Sequence, residues 1–233
     1  MGSGGETEMT CNCSKSTILW VSAILVIIII GSLTVLAYTS STTAIKSSVR
    51  TGLESTVGVM ATQINASEVV LFKAGDEGSP KYLAVAKKLR TLRSMDDHIL
   101  NAYILKVNPD RSVTFLVDDL YPDDPQGSAK IGERSTSPDT MEIFGALSRP
   151  TSSKEPYTTK YGSFMSAYAP IDDSVIDSNG NTKAVLAIDM SATDYTNYTG
   201  GKGYLILVTG LISMVLAVGA IFWFGRRDEK KGE

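Results

Sequence analysis

The sequence predicts an α+β domain held between two transmembrane α-helices. Two uncharged apolar segments lie far apart in the chain, and the hydrophobic pattern between them changes from helical to alternating. The chain has 233 residues and a net charge of -3, which leaves room for one medium-sized domain besides the two segments. Basic residues cluster only in a short tail, so a nucleic-acid-binding surface is not expected.

The two apolar segments are residues 17–38 and 203–225. A helix over residues 17–38 is about 33 Å long at about 1.5 Å per residue, and a hydrocarbon core is about 30 Å thick. Aromatic residues flank both segments, as is common at headgroup level. Core helices of a soluble domain are the alternative, but so small a domain could not cover both on every face. Because the first segment is longer than a signal-peptide core and no small-x-small site follows it, we expect an uncleaved anchor.

The charges beside these segments predict the orientation. Lys15 precedes the first segment, and Arg226 and Arg227 follow the second, with Lys230 and Lys231 close behind. The positive-inside rule places these tails in the cytoplasm. The predicted order is a cytoplasmic tail (1–16), transmembrane helix 1 (17–38), an extracytoplasmic domain (39–202), transmembrane helix 2 (203–225) and a basic cytoplasmic tail (226–233).

Both cysteines, Cys11 and Cys13, lie in the N-terminal tail. Without further Cys or His partners they cannot complete a tetrahedral zinc site. Reversible acylation near the membrane remains open, but a plain reduced pair is favoured. The outer domain has no cysteine, so it must be stable through its core alone, and we expect no cofactor and no metal.

The first part of the outer domain has helical periodicity. Apolar residues recur every three or four positions over residues 43–65, so this helix could continue the first transmembrane helix as one rod. After a break at residues 74–80, a second helix carries an apolar face formed by Tyr82, Val85, Leu89, Leu92 and Met95. We interpret its basic residues as a solvated face; they are Lys87, Lys88, Arg90 and Arg93.

After Asp97 the pattern becomes typical of strands. Asn179-Gly180 is a strong hairpin signal between the last two strand-like runs. This order predicts an antiparallel sheet in a mixed α+β domain. The predicted strands are residues 99–107, 113–118, 163–170 and 183–190, with a short helix over 139–147.

This order, together with "YGSFMSAYAPI", "DSNGNTKAVLAIDMSA" and "KIGE", resembles the extracytoplasmic Cache (PAS-like, PhoQ/DcuS/CitA) sensor domain. The resemblance covers about residues 43–195. In that family the domain lies between two membrane helices of bacterial and archaeal receptors, and those receptors continue into a HAMP, kinase or methyl-accepting region. Here only "RRDEKKGE" follows the second segment, so we expect the chain to lack an output domain of its own. It would be a truncated receptor, a receptor that signals through a separate partner, or a binding or assembly module.

The resemblance implies a ligand pocket between the concave face of the sheet and the loop and helix over it. Alternation along the last strand sets Val185, Ala187 and Asp189 on one face and the bulky residues 186, 188 and 190 on the other. Relatives that bind amino acids or amines hold the cationic nitrogen with an Asp near this place, which Asp189 matches. The alternative role for Asp189 is to cap the strand.

Other candidate ligand residues come from neighbouring strands and the polar excursion between them. They mix aromatic walls with a few polar groups, as ligand sites do. Among them Arg134 would suit a carboxylate ligand through bidentate hydrogen bonding. The alternative for the tyrosines is that their side chains are half-buried and only pack against the domain. The set comprises Phe164, Ser166, Tyr168, Tyr103, Asp118, Tyr121, Arg134, Tyr157 and Tyr161.

Enzymatic and metal sites are not expected. His98 is the only histidine, and no nucleophile-elbow motif is present. The acidic run at 118–124 is interpreted as a solvated turn in preference to a Ca²⁺ site. "DSNGN" at 177–181 is interpreted as a hairpin, because its Gly is fourth where a calcium loop needs it sixth. Two N-glycosylation sequons, at Asn65 and Asn197, lie in the predicted outer domain.

We therefore expect a membrane-anchored sensor of a small molecule (an amino acid, amine or carboxylate). It would act as a homodimer or larger homo-oligomer in the cell membrane, without nucleic acid, and would signal through a separate partner. The alternative is a structural or assembly protein whose Cache-like domain binds neighbouring subunits. An accessory subunit of a separate kinase is a third hypothesis. A hollow, polar face around Asp189 would favour the sensor, and a filled face would favour assembly.

Overall fold

The structure, a computed structural model, describes residues 15–171, 183–201 and 203–229. The described residues form two compact units: those within 44–201 form one, and those of the two end segments, 15–43 and 203–229, form the other. The predicted Asn179-Gly180 turn and the N-terminal cysteines lie outside the described residues, as do Lys230 and Lys231.

The predicted fold class, α+β with an antiparallel sheet and a long N-terminal helix, is confirmed. The helices are α1 (Lys15–Ala61), α2 (Ala66–Val69), α3 (Pro80–Arg93), α4 (Thr140–Gly145), α5 (Ala192–Gly200) and α6 (Gly203–Glu229). The strands are β1 (Ile99–Val107), β2 (Val113–Asp118), β3 (Thr151–Ser152), β4 (Tyr157–Thr159), β5 (Gly162–Pro170) and β6 (Lys183–Ser191). The first apolar segment and the first amphipathic helix are thus one continuous helix, α1.

Two helices are long and apolar enough to cross a membrane. Only 6% and 0% of their most apolar windows are buried, which is unlike the core helices of a soluble domain and is consistent with a two-pass membrane protein. Within this unit the rings of Trp20 and Phe222 meet edge-to-face with centroids 5.1 Å apart. A Cβ at Gly210 would clash with Thr34, so the glycine permits close helix contact.

The sheet has the strand order β2-β1-β6-β5-β3, and β4 also pairs with β5. Every pairing among these strands is antiparallel. Asp189, on the central strand β6, stands between Asn101 of β1 and Ser166 of β5. Tyr103 of β1 lies opposite Ala187 on one side and Asp118 on the other. The register therefore gathers polar side chains from three central strands around one point.

The two faces of the sheet belong to different cores. Leu186, Ile188 and Met190 pack in one core with residues of α1 and α3. Val185 and Ala187 lie in a second core that includes Tyr168 and Ile143, the latter from α4. The alternation predicted along the last strand is therefore observed, and the face with the small residues is the one that carries Asp189.

The predicted solvated face of α3 is wrong for two of its four basic residues. Arg93 Nε lies 2.5 Å from Asp119 Oδ2, and Arg90 Nη2 donates to the Asp119 carbonyl oxygen at 2.7 Å. Asp119 is fully buried, so the acidic run is not a solvated turn at this point either. The turn after β2 packs against the end of α3, where the guanidinium groups offset the burial of the carboxylate.

The outer edge of β2 is covered by the segment 132–135. Phe115 exchanges backbone hydrogen bonds with this segment: its N–H donates to Glu133 O at 2.9 Å, and its carbonyl accepts from Gly132 N at 2.8 Å. Ser135 N donates to Val113 O at 2.9 Å. Gly132 has a φ of +81°, which favours glycine at this turn. The strand β2 is therefore hydrogen-bonded to β1 along one edge and, through Val113 and Phe115, to segment 132–135 along the other.

The start of α3 supplies a modest stability prediction. Ser79 Oγ accepts a hydrogen bond from Tyr82 N at 3.2 Å, and Pro80 occupies the first helical turn. We expect Ser79→Ala to lower the free energy of unfolding by about 1 kcal/mol, because one backbone N–H loses its partner. Urea unfolding of the full chain in micelles would measure it. Ser48→Ala, at an exposed position inside α1, is the control; an equal loss there would contradict the capping role.

Candidate functional site

The face of the sheet that carries Asp189 opens into a cavity of about 110 Å³. At about 30 Å³ per water molecule, this volume corresponds to about four waters. The strands β1, β2, β4, β5 and β6 line it, together with the loop between β2 and α4. The cavity thus lies where the family resemblance predicts a pocket, between the sheet and the excursion over it.

Asp189 is a buried carboxylate in the lining of this cavity, and three side chains donate hydrogen bonds to it. Its side chain is 3% exposed. Its Oδ1 accepts hydrogen bonds from Ser166 Oγ at 2.5 Å and Tyr103 OH at 3.0 Å, and its Oδ2 accepts from Asn101 Nδ2 at 3.3 Å. Burial raises the pKa of Asp189 to about 6, and these three donors limit the rise. Asp189 is therefore largely ionised at neutral pH but close to its titration range.

A chain of hydroxyl groups extends from Asp189 to a second buried carboxylate. Tyr157 OH lies 2.7 Å from Ser166 Oγ and 3.0 Å from Tyr168 OH. Tyr168 OH donates to Asp139 Oδ2 at 3.0 Å. Burial raises the pKa of Tyr157 to about 12 and that of Asp139 above its usual range. A displacement of Tyr157 would break hydrogen bonds to both β5 residues.

Asp118, at the end of β2, is a second carboxylate in the cavity lining. It is buried, and it accepts backbone hydrogen bonds from Leu120 N at 2.9 Å and Ala129 N at 2.8 Å. Burial raises its pKa. The two N–H groups hold the loop after β2 against the cavity, so Asp118 also has a structural role.

The walls between the two carboxylates are aromatic. The ring centroids of Tyr103 and Phe115 lie 5.3 Å apart, and those of Phe115 and Tyr161 lie 6.0 Å apart. Among the described residues that line the cavity, none is Lys, Arg or His. The site therefore presents negative charge and aromatic rings to whatever enters it.

The structure brings most of the predicted site residues together. Two of them, Ser166 and Tyr168, lie behind the lining and reach it through hydrogen bonds. Tyr121 is half-buried against Tyr82 (centroids 5.3 Å apart) and lies outside the lining. Arg134 is also outside, because it pairs with Thr114 at the outer edge of β2, where its side chain is exposed. Those that line the cavity are Tyr103, Asp118, Tyr157, Tyr161, Phe164 and Asp189.

Several polar residues of the site were not predicted, and two of them, Asn101 and Asp139, hydrogen-bond to buried site residues. Asn101 faces Asp189 from the neighbouring strand, which only the strand register reveals. Asp139 precedes α4, where the ordinary expectation is a helix cap. Its side chain makes no cap hydrogen bond and instead accepts from Ser153 Oγ at 2.5 Å and from Tyr168. Spacing in the sequence carries no signal for either contact.

A broader groove of about 910 Å³ lies between α2 and α3. Its polar side chains, such as Glu68, Lys81 and Lys88, are exposed. In the cavity at Asp189, by contrast, buried polar groups converge on an open space, as they do in ligand sites. No cluster of three or more His, Cys, Asp or Glu residues within the described ranges could hold a metal ion.

The chain is similar to the E. coli DcuS sensor domain, with 12% identity and a TM-score of 0.44 over 66% of this chain and 97% of that one. No family model matches the sequence. No curated protein matches it either.

Proposed function

We propose that this protein is a membrane-anchored sensor of the Cache type that binds a small molecule outside the cytoplasm, in the cavity at Asp189. The observation that carries the proposal is a buried carboxylate that faces a hollow, polar space. A residue that only capped a strand would need no cavity in front of it, and a domain used only for assembly would be expected to fill that face. Nothing in this mechanism requires a chemical reaction.

The proposed topology places residues 39–202 outside the cell and both tails in the cytoplasm. Arg226 and Arg227, in the last turn of α6, support it through the positive-inside rule. A two-pass anchor would hold the domain at the membrane surface, where it meets ligands from outside. A homodimer and a separate cytoplasmic signalling partner complete this proposal.

The route from the cavity to α1 would run through the segment that contains β3 and β4. Tyr157 lines the cavity, and two neighbouring residues bind α1. Ser152 Oγ donates to Glu54 at 2.6 Å and accepts from Arg50 Nε at 3.1 Å. Glu155 pairs with Lys46 Nζ at 2.9 Å. A ligand that moved Tyr157 would also shift Ser152 and Glu155 and so change their hydrogen bonds and ion pair with α1.

A ligand could shift α1 only through a difference in affinity between two arrangements of this segment. The pairs between α1 and the segment are partly exposed, so each is weak on its own. Weak contacts suit a switch, because a ligand bound with ordinary affinity can rearrange them. The last strand, β6, offers a second route, since α5 follows it directly.

Calorimetric titration of the full chain in detergent micelles tests the proposed function. Amino acids, amines, short carboxylates and Ca²⁺ would be titrated into the protein and into Asp189→Asn. We expect one class to bind, and its affinity to fall at least tenfold in the variant. Asp97→Asn, at an exposed position, should leave the affinity unchanged. If no compound binds to well-folded protein, or if Asp189→Asn binds as well as the parent, the cavity is not the sensor site and assembly becomes the better hypothesis.

A further inference from the structure

We propose that the ligand is a short organic diamine, with one ammonium group held by Asp189 and the other by Asp118. The inference rests on the proposed function, because it names the ligand class of the same cavity. Three features of the cavity carry it: unused acceptor positions on both carboxylates, uncompensated negative charge, and the separation of the two carboxylates across the sheet.

Both carboxylates have hydrogen-bonding capacity left. An ionised carboxylate has about four acceptor positions. Asp189 uses three, with Tyr103, Ser166 and Asn101 as donors. Asp118 uses two, both for backbone N–H groups. One position on Asp189 and two on Asp118 therefore remain for the N–H groups of a ligand.

The charge of the cavity selects a cation. Its described lining contains two carboxylates and no basic residue. The nearest acidic neighbour at the Tyr161 side, Glu133, is already paired with Lys160 at 2.7 Å. A carboxylate ligand would add a third negative charge without a partner, whereas a ligand with two positive charges would offset both buried carboxylates.

The separation of the carboxylates selects a ligand with two nitrogens. Asp118 lies on β2 and Asp189 on β6, with β1 between them, and the register places Asp118 level with Ala187, two residues from Asp189. Two strand spacings of about 4.8 Å across the sheet and about 6.8 Å along it put their Cα atoms about 12 Å apart. One ammonium group cannot contact both. Subtracting about 2.8 Å for each charge-assisted hydrogen bond leaves about 4–7 Å between two nitrogens, a distance that about three to five carbon atoms span.

The wall between the carboxylates suits an alkyl chain. Tyr103 stands on β1, directly across from Asp118, and Phe115 and Phe164 also line the cavity. Methylene groups gain from contact with these rings, and aromatic faces attract ammonium groups. The small volume of the cavity excludes a bulky ligand and favours a thin, flexible one.

The test compares three compounds of equal chain length on the full chain in micelles at pH 7.5: 1,4-diaminobutane, n-butylamine and succinate. Calorimetry should show that the diamine binds at least tenfold more tightly than the monoamine, and that succinate does not bind. Asp118→Asn should weaken the diamine about tenfold and bring it level with the monoamine, while Asp97→Asn changes neither. The comparison on the parent protein needs no variant, so it stands even if Asp118→Asn fails to fold.

Each other outcome overturns the proposal. Equal affinity for diamine and monoamine, a folded Asp118→Asn with undiminished diamine affinity, or binding of succinate would each show a different ligand class in the same cavity. These three results leave the proposed sensor function standing. Failure of these compounds, together with every compound of the wider screen, to bind would overturn the sensor function as well.

Discussion

Replacing Arg93 with methionine should lower the free energy of unfolding by about 3–5 kcal/mol, the usual cost of leaving a buried charge without its partner. The Arg93 guanidinium lies 2.5 Å from the carboxylate of Asp119, which is 0% exposed. Ala102 N also donates to this carboxylate at 3.2 Å, and the nearby Arg90 guanidinium attracts it. Arg90 is already bound to the Asp119 carbonyl oxygen and to Asp123 Oδ2, so neither group replaces the direct ion pair. Urea unfolding of the full chain in micelles, followed by the near-ultraviolet circular dichroism of the tyrosines, would measure the loss.

Two further variants separate the lost charge from the lost packing. Lys88→Met, on the exposed face of the same helix, should change the free energy of unfolding by less than about 0.5 kcal/mol. Adding Asp119→Asn to Arg93→Met should recover most of the loss, because the unpaired charge is then gone. Lowering the pH from 7.5 to 5 should also reduce the loss, since a carboxyl without its cation protonates more readily. A double variant as unstable as Arg93→Met would show that packing of the Arg93 side chain is the main contribution.

Replacing Asp189 with asparagine should have the opposite effect and raise the free energy of unfolding at pH 7.5 by up to about 3 kcal/mol. Burial raises the pKa of Asp189 from 3.8 to about 6. The folded state therefore holds this proton more tightly than the unfolded state, and the domain loses stability as the pH rises between these two values. A rise of about two pKa units corresponds to about 3 kcal/mol. Asparagine keeps the size of the side chain but carries no charge to desolvate.

Unfolding measured at several pH values distinguishes this effect from a change of packing. The parent protein should become less stable between pH 4 and 6, and Asp189→Asn should show a shallower slope. Some slope should remain, because burial also raises the pKa values of Asp118, Asp119 and Asp139. Asp97→Asn should follow the parent. If Asp189→Asn is less stable than the parent at pH 7.5, the hydrogen bonds to Asp189 outweigh the cost of burying its charge.

These two predictions compare Asp119, a carboxylate paired within the protein, with Asp189, the carboxylate of the proposed ligand site. Asp119 has a fixed cation within the protein, so the cost of burying its charge is partly offset. Asp189 has only neutral donors, and the protein bears the cost of keeping its charge in the cavity. Binding sites commonly contain a buried charged group that lowers the free energy of unfolding of the protein.

Long, periodic elements of this fold could be predicted from the sequence. The first two predicted strands have the bounds of β1 and β2, and alternation along β6 assigned its two faces. The strands β3 and β4 were missed, because two or three polar residues carry no period. The helix α5 was missed because its sequence, "ATDYTNYTG", has almost no apolar stripe.

The candidate site could be predicted only in part, for a different reason. Asp189 stood out because it ends the face of small residues along the last strand and because the family resemblance implies an Asp at this place. The contacts of Asn101, Asp139 and the two guanidinium groups of α3 depend on which strands and turns meet, and local sequence does not specify this. Arg134 was predicted as a ligand residue because its chemistry suits a carboxylate. It lies at the outer edge of β2, where its side chain is exposed and outside the cavity lining.

The hydrogen bonds that segment 132–135 makes to β2 have a consequence for crowding on the membrane. A strand with free backbone groups recruits strands from other molecules and so promotes aggregation. Here those groups are already used on β2, and on the opposite side β3 and β4 cover β5. Neighbouring copies held at high density in a bilayer would therefore resist fusing into a shared sheet, and association of this domain should proceed through side-chain surfaces that can separate again.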